Sequence, residues 1–202
     1  MQRQRVIIGF GHKRRVGKDL CGGLAVSHLI AAGMPAVQDW FAWSLKAMCQ
    51  AAFGFSEEQL WGDKKLEVDP FWRMTPARAL QLAGTEATHT TFGEDFWVRT
   101  VQRRVINSPD TSFVICDVRF PNEAEAIKDM GGYVVRVDRP GVADTQDGRD
   151  AQHKSETALD GYAGWSAVVT NDGTLKELKA KVNTLMRDLQ QGVYRHGASG
   201  IY

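Results

Sequence analysis

Gly9-Phe10-Gly11-His12-Lys13-Arg14-Arg15-Val16-Gly17-Lys18-Asp19 follows the apolar run Val6-Ile7-Ile8 and leads into a stretch with helical spacing. It therefore lies where a first strand hands over to a first helix, the place that phosphate-binding loops occupy. Glycines there let the backbone wrap so that several N–H groups converge on one oxyanion. The helix N-terminus adds partial positive charge, and a lysine can reach the outer phosphates. Gly17-Lys18 supplies two of these features directly. The dinucleotide pattern GxGxxG starts correctly at Gly9 and Gly11 but needs glycine where Arg14 stands, and is rejected. The phosphate-loop pattern GxxxxGK fits with two departures. Counted back from Gly17-Lys18, its first glycine would fall at His12, so either the loop is longer by one residue or Gly11 serves with a shifted turn. Asp19 replaces the Ser or Thr whose hydroxyl binds Mg2+; a carboxylate there would hold the metal directly or through water, or cap the helix it begins. The competing reading is a basic strand-to-helix turn with ordinary glycines.

Outward from the loop, short apolar runs alternate with amphipathic stretches, which predicts βαβ units and an α/β fold with a mainly parallel sheet. Residues 6–10 read as the first strand and 19–32 as a helix closed by Gly33-Met34-Pro35. Residues 36–42 read as a second strand interrupted by Asp39. The segment 43–108 is mostly helical, with a capping box at Ser56-Glu57-Glu58-Gln59 and a cap followed by proline at Thr75-Pro76. Residues 113–117 form a buried strand, 121–130 a helix stopped by Gly131-Gly132, and 133–138 another strand. The stretch 139–154 turns polar and is longer than the usual connection of about 4–6 residues, as functional lids are. A last strand at 165–170 precedes the capping box Thr174-Leu175-Lys176-Glu177. The following helix buries Leu178, Val182, Leu185, Met186 and Leu189 on one face. The tail, 192–202, is small and polar and is expected to be unordered.

Composition narrows the function. A length of 202 residues, 43% hydrophobic and 24% charged, provides a core and excludes intrinsic disorder. No apolar run approaches the ~20 residues needed to cross a bilayer, and the run after Arg3 and Arg5 meets Gly9 too soon for a secretory signal. The cytoplasm is the expected compartment, a host's if the chain is of phage origin. Cys21, Cys49 and Cys116 lack a CxxC arrangement, and the histidines lack metal-ligand spacing. Net charge is only +1, so wholesale attraction to nucleic acid or membrane is not expected. The distribution is uneven, however. Residues 1–18 hold Arg3, Arg5, Lys13, Arg14, Arg15 and Lys18 with no acidic residue, leaving 19 basic against 24 acidic in the rest. One end of the chain is prepared for an anion. Nothing resembles a Ser/His/Asp set or a reactive Cys/His pair, which suits phosphoryl transfer, where positioning and charge do most of the work.

Joined to other segments, the loop gives the chain a specific likeness. The segments are Phe41-Ala42 with Lys46; Thr75-Pro76-Ala77-Arg78-Ala79-Leu80-Gln81 running into Gly84-Thr85-Glu86; Asp95-Phe96-Trp97-Val98; Asp117-Val118-Arg119-Phe120-Pro121-Asn122-Glu123; His153-Lys154-Ser155-Glu156; and Asn171-Asp172-Gly173. In order and spacing they resemble the bacteriophage deoxynucleoside monophosphate kinase family, whose loop carries GKD. The likeness runs from about residue 6 to 190. Phosphomevalonate kinases share the GKD loop, so that feature alone does not fix the acceptor.

The resemblance implies a three-layer, adenylate-kinase-like P-loop kinase fold. Its mainly parallel five-stranded sheet would be flanked by helices, with a helical acceptor-binding region at 43–108 and a lid at 139–154. It implies transfer of the γ-phosphoryl group of ATP to a deoxynucleoside monophosphate with Mg2+, and a homodimer would fit. ATP would meet Gly11, Lys13, Arg14, Gly17, Lys18, Asp19, Asn171 and Asp172. Lys18, Arg15, Asp117 and Arg119 would act on the transferred group, with Asp117 and Asp19 holding the metal. Lys46, Arg78 and Trp97 would meet the acceptor, and Arg139 or Arg149 would close over the site. Each role has a structural rival: a cap before Pro121 for Asp117, a partner for Glu123 in Arg119, a surface ion pair for Arg78, core packing for the aromatics, and a plain turn for Asn171-Asp172-Gly173. Two other functions remain: a kinase for a different phosphorylated acceptor, or a nucleotide- or nucleic-acid-binding module without catalysis.

Overall fold

The computed structural model describes residues 5–141, 154–193 and 200–201. The chain divides into two compact units, one made of Met1–Trp40 with Arg104–Tyr202 and the other of Phe41–Arg103.

The first unit holds the sheet. Its strands are β1 (Ile7–Gly11), β2 (Ala36–Asp39), β3 (Ser112–Val118), β4 (Tyr133–Asp138), β5 (Ala167–Thr170) and β6 (Gly200–Ile201). They lie in the order β2-β3-β1-β4-β5-β6, and every pairing is parallel. The five strands expected from the apolar runs are all present. The sixth is a two-residue pairing made by part of the tail at the edge beside β5. β1 is buried at all five positions, which is why it reads as an unbroken apolar run rather than an alternation. Its side chains still alternate between two layers. Ile8 and Phe10 join the core formed by α1 (Lys18–Ala31), through Cys21, Ala25 and Leu29, and α9 (Leu175–Gln190), through Leu178, Val182, Leu185 and Met186. Gly9 faces the other way, onto α7 (Pro121–Asp129). A Cβ at Gly9 would stand 2.4 Å from Ile127 Cδ1, so glycine here permits the close approach of helix and strand. Helices on both faces of a parallel sheet give three layers.

Local chemistry accounts for most element ends. Thr174 Oγ1 accepts from Glu177 N while Glu177 returns to Thr174 N, completing the expected capping box at the start of α9. α1 begins at Lys18, one residue before its expected start, because Gly17 takes the left-handed conformation that ends the loop. β2 stops at Asp39 rather than running to residue 42. The Asp39 carboxylate is 8% exposed and forms a two-point pair with Arg104, Nε to Oδ2 at 2.9 Å and Nη2 to Oδ1 at 3.0 Å, and Arg104 also donates to Trp40 O. The strand thus ends by turning a carboxylate inward to a cation, at an arginine in α6 (Phe96–Asn107).

The second unit is helical. It contains α2 (Ala42–Phe53), α3 (Glu57–Leu60), α4 (Pro76–Gln81), α5 (Thr88–Phe92) and the start of α6. Its core is Cys49, Phe55, Leu60, Ala79 and Leu80, with Phe53, Trp72 and Met74 packed against it. Ser56 and Gln59 make a reciprocal capping box, and Thr75 Oγ1 accepts from Arg78 N with Pro76 in the first turn. Between α4 and α5, residues Leu82–Ala87 wind as a wide π-type turn. The sequence pattern does not foretell that turn.

Candidate active site

β1 sits between β3 and β4: the connection leaving β1 runs toward the β2 edge, and the one leaving β3 crosses to β4 on the opposite side. In open parallel sheets this reversal opens a crevice beyond the carboxyl ends of the strands, where ligands bind. The loop from His12 to Gly17 lies at that end of β1. It wraps through positive φ at His12 (95°), Arg15 (60°) and Gly17 (98°). At Gly17 a side chain is excluded twice, by φ and by Asn171, whose Nδ2 would lie 2.6 Å from the added Cβ.

Lys18 starts α1 and is 6% exposed. Its ammonium folds back across the loop, donating to His12 O at 3.2 Å and to Lys13 O. Burial first, and then the nearby Arg119 charge, push its pKa down to about 7; Glu156, Asp19 and Asp117 act in the opposite sense. Lys18 thus places a buried side-chain amine at the N-terminus of a 14-residue helix, with three carboxylates and an arginine acting on it.

Side chains from distant elements hold the loop. Asn171, after β5, is 9% exposed; its Nδ2 donates to Val16 O at 2.9 Å, and its own N–H bonds Asp138 O at 2.7 Å. His12 Nδ1 lies 2.9 Å from Asp138 Oδ1, with the ring edge-on to Trp165; burial and Arg136 hold this histidine's pKa below the usual value. Lys13 Nζ donates to Glu156 O at 2.6 Å and pairs with Asp160. Arg14 N–H donates to Glu156 Oε2 at 3.1 Å, and Arg119 Nη1 reaches Glu156 Oε1 at 2.7 Å. After β3, the buried Glu123 accepts the N–H groups of Arg119 and Phe120 on Oε2. Burial, together with Asp117, pushes the Glu123 pKa up to about 8.

The residues expected on the ATP side thus collect in the first unit: Gly11, Lys13, Arg14, Arg15, Gly17, Lys18, Asp19, Asp117, Arg119, Asn171 and Asp172. Several have occupations that the sequence does not foretell. Asn171 spends its amide on bracing the loop, and Asp172 pairs with Lys181 at 2.6 Å. Asp19 is exposed in the first turn of α1 and accepts from Trp40 Nε1 at 2.8 Å. The N-cap is Gly17, which makes no side-chain cap bond, so the alternative of Asp19 as helix cap is corrected. The cap before Pro121 likewise falls to Glu123 rather than Asp117. The Arg119 side chain pairs with Glu156, while its backbone N–H donates to Glu123, on which the guanidinium charge also acts. Arg15 and Arg139 are exposed, and Arg149 lies outside the described residues.

The acceptor candidates all fall in the helical unit. Arg78 Nη1 pairs with Glu86 Oε1 at 3.0 Å, both side chains about half exposed. Lys46 Nζ lies 5.3 Å from the Trp61 ring centroid. Trp97 Nε1 donates to Gly84 O at 2.8 Å, anchoring the wide turn. Sequence reasoning missed Glu156 as a site residue; its only signal was its place in His153-Lys154-Ser155-Glu156.

A family model described as deoxynucleotide monophosphate kinase matches residues 65–182. A protein of Acanthamoeba polyphaga mimivirus, provisionally named a deoxynucleotide monophosphate kinase, is 30% identical over 203 residues, covering 92% of this chain and 98% of its own length. The deoxynucleotide monophosphate kinase of Escherichia phage RB69 is 31% identical over 113 residues, covering 54% of this chain and 44% of the phage protein. The match therefore spans less than half of that relative. A solved dephospho-CoA kinase from Campylobacter jejuni overlays with a TM-score of 0.46 at 9% identity, covering 94% of this chain and 98% of that one.

Proposed function

The chain belongs to the deoxynucleotide monophosphate kinase family, and from that premise we propose that its phosphate loop binds ATP and passes the γ-phosphoryl group to a deoxynucleoside monophosphate held by the helical unit. In this reaction an oxygen of the acceptor's phosphate attacks the γ-phosphorus. The bond from that phosphorus to the β-phosphate oxygen breaks, and ADP leaves as the deoxynucleoside diphosphate forms. No protein nucleophile is needed, so the chain's task is to position two polyanions and to offset the charge that spreads over the transferred group.

The observation that carries this reading is Lys18: a buried ammonium, at the first turn of α1, closed over the carbonyls of its own loop. Swinging off those carbonyls, it would meet the β- and γ-phosphates together with the N–H groups of the loop and the first turn. The phosphates' negative charge would raise its pKa and keep it cationic. Arg119 would add charge to the same group, with Arg14 and Arg15 beside it. Lys46 and Arg78 would meet the acceptor's phosphate and Trp97 its base.

Asp117 and Asp19 fit a hard cation. Both supply carboxylate oxygens, and their charges act jointly on Lys18 and on the Cys116 thiol. Mg2+ is commonly held by one or two carboxylates together with substrate phosphates, and Asp117 and Asp19 would supply the carboxylates here. Bound there, the ion would neutralise charge on the β- and γ-phosphates.

The test is ADP release from Mg-ATP with each of the four deoxynucleoside monophosphates, the ribonucleotides and no acceptor. ADP that appears only with particular deoxynucleotides supports the reading. Acceptor-independent ADP, or none, would point to an ATPase or a binding module.

A further inference from the structure

Glu156 belongs to the four-residue helix α8 (Lys154–Thr157), yet it makes three connections to parts of the chain far away in sequence. Its main-chain oxygen takes the Lys13 ammonium, Oε2 takes the Arg14 N–H, and Oε1 takes the Arg119 guanidinium. The side chain is 10% exposed, and each carboxylate oxygen has a cationic or backbone donor. Arg119 is thereby fastened at both ends, its backbone by Glu123 and its guanidinium by Glu156. One carboxylate bridges the loop backbone and the guanidinium. Arg119 Nη1 can therefore stand no farther from the Arg14 N–H than the width of a carboxylate and two hydrogen bonds.

That distance matters for transfer. A long, flexible guanidinium stabilises a phosphoryl group in transit only if it is already in place when charge develops. It must also sit close to a second cation, Lys18, which it repels. A buried carboxylate beside both offsets that repulsion in the empty site. We propose that Glu156 is a positioning residue for phosphoryl transfer, holding the Arg119 guanidinium at the mouth of the phosphate loop while fixing the loop through Lys13 and Arg14. The inference rests on the kinase reading above, and on Arg119 meeting the transferred group.

The experiment is a double-mutant cycle on turnover at saturating ATP and deoxynucleotide, using wild type, Glu156→Gln, Arg119→Gln and the double variant, with melting curves for each. Glutamine keeps the shape and removes the charge. If Glu156 acts through Arg119, Glu156→Gln lowers kcat about tenfold or more while KM for ATP moves by less than about threefold. The double variant is then no slower than Arg119→Gln alone. Losses that multiply in the double variant, a loss confined to KM for ATP, or wild-type kcat in Glu156→Gln would each overturn the proposal. Should Glu156→Gln not fold, the cycle is run with Glu156→Asp, which keeps the charge but is one methylene too short for both contacts. A wild-type protein that transfers nothing to any deoxynucleotide would instead overturn the kinase reading, and an active wild type matched by Arg119→Gln would overturn the role of Arg119.

Discussion

Asn171→Ala separates two accounts of a residue that the resemblance assigns to ATP and whose amide the structure bonds to the phosphate loop. The side chain is 9% exposed, and its amide donates to Val16 O at 2.9 Å, within a loop whose Val16 is itself 4% exposed. Alanine removes the donor and leaves a buried carbonyl without that partner, a loss of about 1–3 kcal/mol. For a chain of this length, each kcal/mol corresponds to roughly 2–4 °C, so the nucleotide-free protein should melt about 2–12 °C lower. Asn171→Asp should be worse, because a carboxylate presents lone pairs to the Val16 carbonyl. The assay is thermal unfolding without nucleotide, followed by KM for ATP on the same preparations. Both should change, since the loop that loses its brace is the one that binds phosphate. An unchanged melting temperature in the empty protein, with only ATP binding weakened, would refute the bracing role and leave Asn171 a direct contact of ATP.

Arg78→Ala should raise KM for the deoxynucleotide far more than KM for ATP. Its pair with Glu86 is about half exposed and worth at most about 1 kcal/mol, so stability should hardly move, and equal effects on both substrates would remove its acceptor role. Arg104→Ala strands the Asp39 carboxylate at the end of β2 and should cost about 3 kcal/mol in urea unfolding; a loss below about 1 kcal/mol would show the pair to be dispensable. Glu123 makes stability depend on pH. Its folded-state pKa is raised from 4.5 to about 8, so the stabilisation of its neutral form is complete below 4.5 and is lost as pH rises through 8. The urea midpoint should therefore fall more between pH 5 and pH 8 for the wild type than for Glu123→Gln, and equal declines would contradict the raised pKa.

Legibility in the sequence followed the range of the interactions. β1, the loop and α1 were readable because an apolar run, a Gly-Lys pair and a helical stretch are contiguous in sequence, and the caps at Ser56, Thr75 and Thr174 because each is a contact between residues three apart. The order of the strands was not readable, since β1 pairs with β3 and β4 across more than a hundred residues. The site shows the same division. Lys18 announces itself beside Gly17, but Glu156 earns its place through Lys13, Arg14 and Arg119, contacts that no local pattern encodes. Asn171 is marked in the sequence only by its place after an apolar run, and its hydrogen bond to Val16 could come only from the folded chain. Asp39 looked like an interruption of a strand until Arg104 supplied its counter-charge.

The central claim is that Lys18 and its loop deliver the γ-phosphoryl group of ATP to a deoxynucleotide. The most direct measurement is the fate of γ-labelled ATP incubated with Mg2+ and a deoxynucleoside monophosphate, for the wild type and for Lys18→Ala. The account predicts label at the β-position of the deoxynucleoside diphosphate with the wild type, and none with Lys18→Ala in a preparation that still unfolds cooperatively, which shows that the lost transfer is not a lost fold. Label released as free phosphate by the wild type, or transferred equally well by Lys18→Ala, would contradict it.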